Sequence, residues 1–338
     1  MRRTGSASTF ARMGERSPVR VGVIGRGFGG RIVAPVFAET SGCEVVDVVS
    51  PRDEGAVRTL CAQPDIDLIA VHSPPFLHHD HVLWALDAGR AVLCDKPFGT
   101  NAADAVAMDT AARAADALAF LNFEFRLHPG RAALRALVRE GAIGSVEHVQ
   151  WSAFVAGSRV PLREHGWLFD ADRGGGWIGA WASHAVDFIR WTFGEIVDAH
   201  AQLHTTVTER PDRDGAMHRS TAEDGFTASM TIANGATVAI DTTFAARVNV
   251  PPRITVLGSE GALESIGDSR IMMRTDDGTT EVFSFDAPAE DPHLVPMRAW
   301  AEVVRDAVRS GEVRDGIPTF ADGVACARVL DALRGVRA

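Results

Sequence analysis

The sequence predicts an α/β chain of two domains: an N-terminal doubly wound parallel sheet and a C-terminal α+β domain built on a large, mostly antiparallel sheet. Short apolar segments alternate with helix-length segments from Val19 to about Asn122, which is the pattern of parallel strands joined by crossover helices. A glycine-rich turn follows the first apolar segment. Beyond Arg126 the segments become long and alternate between apolar and polar residues, which is typical of antiparallel strands.

The elements of the first domain follow from this pattern. Helices are expected to begin near Gly27, His78 and Asn101. Strands are predicted at residues 19–24, 45–49, 68–71, 91–94 and 117–122.

The second domain begins with a helix predicted at residues 130–140, which Gly141 ends. The dipeptide Asn234-Gly235 predicts a hairpin turn between two strands. Two helices close the chain, at 296–310 and 321–334. The antiparallel strands are predicted at residues 146–155, 199–208, 227–232, 237–244, 253–257 and 271–275.

The chain length favours two domains, because hydrophobic cores stop growing at about 250 to 300 residues and this chain has 338. We place the first domain at residues 19–125 and the second at 126–338, whose last helices are candidates for packing back on the first domain. Residues 1–18 carry four arginines among small polar residues without the apolar stretch of a secretory signal. They are predicted to be a disordered extension.

The charge balance excludes two classes of partner. The net charge is -10 and the isoelectric point is near 5.6, with no block of Lys and Arg beyond the first twenty residues. Nucleic acid and anionic membrane surfaces are therefore not expected partners, and no apolar run of about eighteen residues is present to span a bilayer. Four cysteines without a CxxC pair fit a reducing compartment, so we expect a cytoplasmic protein.

The glycine-rich turn has the spacing G-x-G-x-x-G directly after the apolar residues 21–24. Glycines at these positions allow a tight turn and let backbone N–H groups approach a pyrophosphate at a helix N-terminus. This predicts a Rossmann-type dinucleotide site, with a bare structural turn as the alternative interpretation. The residues expected to contact the dinucleotide are Gly25, Arg26, Gly27, Phe28 and Gly30.

The position that selects the cofactor lies about twenty residues beyond the third glycine. Ser50 occupies it and Arg52 follows closely. A hydroxyl group with an arginine can accept a 2′-phosphate, whereas an acidic side chain there would favour NAD, so the sequence favours NADP slightly over NAD. A Ser-Pro turn with exposed charges is the alternative interpretation.

From about residue 19 to residue 333 the chain resembles the Gfo/Idh/MocA family of oxidoreductases. The resemblance implies that the first domain binds NAD or NADP. It also implies that the second domain presents an open sheet face for a homodimer or homotetramer, and a sheet edge for the substrate. The matching segments are DLIAVHSPPFLH at 67–78, AGRAVLCDKP at 88–97, RGGGWIGAWASHAVD at 173–187 and TFADG at 319–323.

The resemblance implies a lysine at the active site. The family's E-K-P motif falls on Asp95-Lys96-Pro97. Lys96 would hold a substrate hydroxyl and stabilise the alkoxide as hydride leaves. A surface lysine at a strand end is the alternative. Further cofactor contacts are implied at Ser73, Pro74, His78, Asp95 and Lys96.

The second family motif, GGG-x-L-x-D-x-G-x-H-x-x-D, implies that His184 and Asp187 belong to the site, but Ala180 replaces its central aspartate. At α-helical spacing positions 180 and 184 would share one face. His184 can still act as a general base near neutral pH, with a structural core histidine as the alternative. The chain has no tyrosine to take over this role.

The resemblance extends the substrate site to the crossing between the domains. It implies substrate contacts at Asn122, Glu124 and Arg126. Three tryptophans, Trp167, Trp177 and Trp181, cluster near the second motif and suggest a wall for a sugar ring, with core packing as the alternative. The run of histidines at 78–81 suggests a metal cluster, but adjacent residues cannot all face one ion, so no metal is expected. The substrate-binding set is Lys96, Asn122, Glu124, Arg126, Trp167, His184 and Asp187.

These observations predict an NAD(P)-dependent dehydrogenase or reductase acting on a CH–OH group of a sugar, sugar derivative or cyclitol. The loss of the aspartate at Ala180 keeps an alternative open, a sensor that binds dinucleotide or another ligand without redox chemistry. A lyase or glycosidase that retains its cofactor is a third hypothesis. The segment from Ser50 to Pro64 contains only fifteen residues, where the family usually inserts a helix, a strand and a helix, so one strand is expected to be missing.

Overall fold

The computed structural model describes residues 17–286 and 288–336; the predicted extension lies outside them except for its last two residues. The first domain contains a five-stranded parallel sheet, flanked by helices α1 (Ala34–Glu39), α2 (Glu54–Ala62), α3 (His78–Asp87) and α4 (Ala102–Ala114). Its strands, in chain order, are β1 (Val19–Ile24), β2 (Cys43–Val49), β3 (Leu68–Val71), β4 (Ala91–Cys94) and β5 (Ala119–Leu121).

The strand order of this sheet is β2-β1-β3-β4-β5, with every pairing parallel. All four residues of β3 are buried, as expected for a strand covered by helices on both faces. The chain passes from β1 to β2 on one side and then crosses to β3 on the other side of β1. A crevice therefore opens at the carboxyl end of β1, where ligands of such sheets bind.

The second domain is built on an eight-stranded sheet in the order β15-β14-β13-β12-β6-β11-β10-β7, in which only β6 and β11 pair in parallel. A separate small hairpin is formed by β8 (Glu209–Pro211) and β9 (Met217–Arg219). The strands of the large sheet are β6 (Val146–Phe154), β7 (Ile196–His204), β10 (Gly225–Ile232), β11 (Thr237–Thr243), β12 (Val250–Gly258), β13 (Gly261–Ile266), β14 (Arg270–Thr275) and β15 (Gly278–Ser284). The predicted fold class is confirmed for both parts of the chain.

Four helices complete the fold: α5 (Pro129–Arg139), α6 (Ser183–Phe193), α7 (Leu294–Ser310) and α8 (Phe320–Leu333). The apolar face of α7 packs on the first domain, where Met297 and Trp300 join the core beneath β1. Helix α8 contacts α4 and β5 of the first domain and α6 and β7 of the second. Helix α8 thus connects both sheets. Within the described residues, no helix is both long and apolar enough to cross a membrane.

The structure differs from the prediction in several elements. Every residue between β2 and β3 is described, and these residues form one helix, α2, and no strand, so the missing strand is indeed absent. Helix α2 had not been predicted. It begins where Asp53 accepts a hydrogen bond from the Ala56 N–H and caps its first turn. Strands β13 and β15 were also missed; β15 is an exposed edge strand, so its residues lack a buried apolar face to mark it.

Candidate functional site

The glycine turn after β1 has the geometry of an anion cradle. Gly25 has a φ of +131°, and a Cβ there would lie 2.3 Å from the carbonyl oxygen of His72, so only glycine fits. A Cβ on Gly27 would meet open space. Among the described residues, the N–H groups of Arg26 and Gly27 have no hydrogen-bond acceptor. The turn therefore fits a pyrophosphate, which would accept from such backbone groups.

Beside this turn a cleft of about 460 Å³ opens at the end of β2. Arg52 lines it from the first domain, and Trp167 and Arg173 line it from the second. Ser50 directly follows β2, and its hydroxyl oxygen accepts a long, 3.4 Å hydrogen bond from the Arg52 N–H. Asp53, the first acid after Ser50 in the sequence, caps α2. Two arginines and two carboxylates, Glu54 and Asp80, line the cleft, and each carboxylate already has a partner, Arg58 and His79 respectively.

Asp95 braces the loop after β4 instead of pointing toward a ligand. Its carboxylate accepts the Lys96 N–H at 2.9 Å and the Asn122 side-chain amide at 3.2 Å, and lies 3.2 Å from His72 Nδ1. Burial alone would raise the pKa of Asp95, but the facing His72 ring and the Lys96 ammonium hold that pKa below its usual range. This ionised carboxylate orients the backbone on which Lys96 sits.

His78 joins the loops that follow β3 and β4. Its Nε2 lies 2.7 Å from the Ser73 carbonyl oxygen and its Nδ1 lies 3.1 Å from that of Pro97. The ring is almost fully buried. Pro74 lies between these braced residues and the adenosine-side cleft, which it lines. His78 therefore positions the loops of the cofactor site from beneath.

The neighbouring His81 predicts a pH-dependent stability. Its buried ring contacts the Ser73 hydroxyl at 3.0 Å, and burial, aided by His78, lowers its pKa from 6.5 to about 4. The unfolded chain therefore binds a proton below pH 6.5 that the folded chain does not bind, so stability falls as the pH falls. Between pH 7 and pH 5 we expect a loss of about 2 kcal/mol from this ring in the free energy of unfolding.

Urea denaturation at the two pH values measures this loss. The substitution His81→Leu removes the titrating ring and should reduce the loss by about 2 kcal/mol. The matched control is His79→Leu, on the same helix but half-exposed, which should leave the loss unchanged. An equal loss in the wild type and in His81→Leu would contradict the assignment.

Lys96 contacts the second domain directly. Its Nζ donates to the Ala180 carbonyl oxygen at 2.6 Å. Lys96 is also the only lysine in the sequence, so the chain uses arginine for every other permanent side-chain cation. The turn Ile178–Ala182 that supplies the carbonyl is a π-helix, a local irregularity frequent at functional sites. Its hydrogen bonds span five residues, so the α-helical alignment expected for positions 180 and 184 does not apply.

His184 is the second residue of α6, which directly follows this turn. Its ring is buried, 6% exposed, and neither ring nitrogen has a hydrogen-bond partner among the described residues. The ring of Phe125 packs edge-on against it at 4.7 Å between centroids. Burial lowers the pKa of His184 well below 6.5, and the charge of Lys96 lowers it further. His184 is therefore a neutral imidazole that is available to accept a proton.

Two further side chains complete this part of the site. Glu124, predicted as a substrate contact, is fully buried and lies 3.9 Å from His184 Nε2. Its Oε1 contacts Nδ1 of His293 at 2.6 Å. Sequence reasoning missed His293, which lies 169 positions from Glu124 outside any motif. No local signal in the sequence points to it.

Arg126 and Asp187 bind each other. The guanidinium donates to both carboxylate oxygens of Asp187, with Nε at 2.9 Å from Oδ2, and also to Asp322 at 2.9 Å. Burial alone would lower the pKa of Arg126, but Asp187 and Asp322 raise it. Both predicted substrate contacts therefore form a buried ion pair that links the segment after β5 to α6.

Breaking this ion pair should destabilise the protein. The substitution Asp187→Ala leaves a buried guanidinium with one carboxylate fewer, and we expect a loss of about 3 kcal/mol in the free energy of unfolding by urea denaturation. The control Asp109→Ala removes the helical partner of the exposed Arg113 and should cost at most about 0.5 kcal/mol. Equal effects of the two substitutions would show that the buried pair contributes no more to the free energy of unfolding than the exposed pair.

The tryptophans do not form one wall. Trp167 lines the cleft beside Arg52. Trp177 donates to the Thr242 hydroxyl at 2.9 Å and stacks on Phe244, and Trp181 packs against Trp151. These two rings therefore cover the inner face of the large sheet. In residues 17–286 and 288–336, no three His, Cys, Asp or Glu side chains are grouped to hold a metal ion.

Known proteins are similar to this chain over most of its length. The model of an oxidoreductase family with an NAD-binding Rossmann fold matches residues 19–123, and that of a Gfo/Idh/MocA C-terminal domain matches residues 132–264. An uncharacterized oxidoreductase of Synechocystis sp. is 28% identical over 266 residues, 73% of this chain and 72% of its own. D-apiose dehydrogenase of Paraburkholderia graminis is 28% identical over 313 residues, 86% and 76% of the two chains.

A solved structure of levoglucosan dehydrogenase in complex with NADH and L-sorbose superposes with a TM-score of 0.83 at 21% identity. It covers 94% of this chain and 96% of the other. At this identity the likeness shows the fold. With the two family models, it confirms the predicted resemblance. The chain therefore belongs to the Gfo/Idh/MocA family of oxidoreductases, with an NAD-binding Rossmann domain and sugar dehydrogenases among its relatives.

Proposed function

We propose that this protein is an NAD(P)-dependent dehydrogenase that oxidises a carbinol carbon of a sugar, sugar derivative or cyclitol. The observation that carries the proposal is the 2.6 Å contact between Lys96 Nζ and the Ala180 carbonyl oxygen. It joins the loop after β4 to the turn that leads into His184. A cation and a neutral base are thereby brought together near the crevice that the glycine turn borders.

Each group has a distinct task in this reaction. A bound dinucleotide would supply the hydride acceptor. The glycine turn would hold its pyrophosphate through backbone N–H groups. Lys96 would hold the substrate hydroxyl oxygen and stabilise the negative charge that develops on it, while His184 accepts the hydroxyl proton at a ring nitrogen.

Unpartnered acceptors around the site support a polyhydroxylated substrate. Oδ1 of Asn122 and Oε2 of Glu124 are buried without a hydrogen-bond donor among the described residues. Buried acceptors are costly when they remain unpaired, and substrate hydroxyl groups are donors that would pair them. Two relatives are named for sugar substrates of this chemical class, levoglucosan and D-apiose.

Arg52 supports NADP as the cofactor. In Arg52→Ala we expect the dissociation constant for NADP⁺, measured by calorimetry, to rise about tenfold, since a charged hydrogen bond to the 2′-phosphate is lost. The dissociation constant for NAD⁺ should stay within a factor of two. Tighter binding of NAD⁺ than of NADP⁺ by the wild type would reverse this choice of cofactor.

A screen at 340 nm tests the proposed function. The purified chain is mixed with NAD⁺ or NADP⁺ and a panel of sugars and cyclitols, and we expect reduction of the cofactor with at least one of them. Calorimetric binding of dinucleotide without reduction by any of them would favour the sensor. Conversion of substrate with no net change in absorbance would favour the cofactor-retaining lyase or glycosidase.

A further inference from the structure

A buried carboxylate lies between two histidines in the candidate site. Oε1 of Glu124 is 2.6 Å from Nδ1 of His293 and 3.9 Å from Nε2 of His184. The other carboxylate oxygen and both ring nitrogens of His184 have no hydrogen-bond partner among the described residues. Polar atoms buried in this way call for a functional explanation.

Exposure to solvent differs along this row of side chains. Glu124 is fully buried and the side chain of His184 is 6% exposed, whereas that of His293 is 28% exposed. Within the described residues, Nε2 of His293 has no hydrogen-bond partner. Of the three side chains, only His293 therefore gives the buried pair substantial access to water.

Aromatic rings surround the same row. Phe125 packs against both histidine rings, with centroids 4.7 Å from His184 and 5.0 Å from His293. Phe28, from the glycine turn, covers His293 from the other side at 4.9 Å. Phenyl rings accept no proton, so on this side of the site a proton can leave His184 only through polar groups.

A base in this position must release the proton that it receives. The ammonium of Lys96 and the guanidinium of Arg131 both disfavour a protonated His184, and Lys96 already donates to Ala180. Neither cation accepts a proton. Glu124 is the carboxylate beside the His184 ring, with 3.9 Å between Oε1 and Nε2, a gap that a small rotation of the ring must close before a proton crosses it.

We propose that Glu124 and His293 form a proton relay that connects His184 to solvent. The inference rests on the proposed function. The substrate hydroxyl proton moves to Nδ1 of His184 as Nε2 of that ring passes its proton to the Glu124 carboxylate. Glu124 then protonates Nδ1 of His293 as Nε2 of that ring releases its proton to water. One proton enters and one leaves, while the carbinol C–H bond breaks and its hydride, with both electrons, reduces the nicotinamide. Glu124 and His293 are positioning residues in this scheme, because they act through His184.

The first test needs no catalysis. The pH titration of the His184 ring is followed by nitrogen NMR in the cofactor-free wild type, in Glu124→Gln and in the control His79→Ala, which removes a half-exposed histidine of α3 outside the site. Replacing a carboxylate 3.9 Å away by an amide should move the His184 titration to lower pH by about one unit. His79→Ala should leave it unchanged. An identical titration in Glu124→Gln would overturn the relay.

The second test uses turnover. In His293→Ala we expect the rate of cofactor reduction to fall at least about tenfold and to be restored by added imidazole. Pyrazole, of similar size but far less basic, should not restore it. Equal rescue by both would mean that His293 only fills space, and would overturn the relay. If the wild type reduces no cofactor while the NMR titration responds to Glu124→Gln, the proposed function fails but the proton coupling stands.

Discussion

Turnover in Lys96→Met should fall by about a hundredfold to a thousandfold. The substitution keeps much of the apolar stem but removes the charge that meets the developing alkoxide, and loss of one such donor costs about 2.7 to 4 kcal/mol. The affinity for dinucleotide should change far less, since the glycine turn carries the pyrophosphate. Initial rates at 340 nm and calorimetry measure the two effects separately.

Two further variants sharpen this prediction. Lys96→Arg retains the charge, but its planar guanidinium does not reproduce the single 2.6 Å contact to Ala180, so it should rescue little. Arg113→Met removes an exposed surface cation and should have no effect. Turnover of Lys96→Met within a factor of a few of the wild type would remove Lys96 from the mechanism.

The single lysine also allows a chemical test. Amine-directed acylation can modify only Lys96 and the α-amino group of the chain. Inactivation should follow modification of Lys96, as located by mass spectrometry of the peptides. Retention of activity after complete modification would contradict its role.

His184→Asn should lower turnover by about a hundredfold or more, because general base catalysis contributes about a hundredfold to ten-thousandfold. Dinucleotide affinity should remain unchanged. In the wild type the base must be neutral, so the oxidative rate rises with pH through the pKa of His184. Burial and the neighbouring cations lower that pKa, so the rise should lie below pH 6.5 rather than near it.

The departure at Ala180 provides the matched test. Ala180→Asp would introduce a carboxylate within the same turn as the contact to Lys96. This carboxylate would offset the charge of Lys96, which lowers the pKa of His184, so the rising limb of the profile should move to higher pH. The limb should disappear in His184→Asn. An unchanged profile in both variants would mean that another group takes the hydroxyl proton.

Much of the site was predictable because its parts are local. The glycine turn depends on a spacing of six residues after an apolar strand, and the structure gives Gly25 the positive φ that this spacing requires. The loop of Lys96 directly follows a strand whose bounds the sequence predicted without error. His184 was placed by a motif within one segment. Each of these inferences needed only neighbours in the chain.

Other features depend on residues that are distant in sequence. Arg126 and Asp187 were both predicted to meet substrate, yet they meet each other across 61 positions. His293 reaches Glu124 across 169 positions. The sequence pattern also did not predict the π-helical turn at Ala180, because a five-residue turn is too short to show a hydrophobic period. The partners of such side chains depend on how the helices pack on the sheets.

The sequence by itself therefore determined the two sheet types, the glycine turn and the places of Lys96 and His184, since strand and helix periods and glycine conformations are set by nearby residues. The tertiary structure alone decided which buried polar groups have a hydrogen-bond partner and which have none among the described residues. The reason is physical: burial and hydrogen bonding of Glu124, Arg126 and His184 arise only when β5, α6 and α7 pack together, and no short segment contains that information.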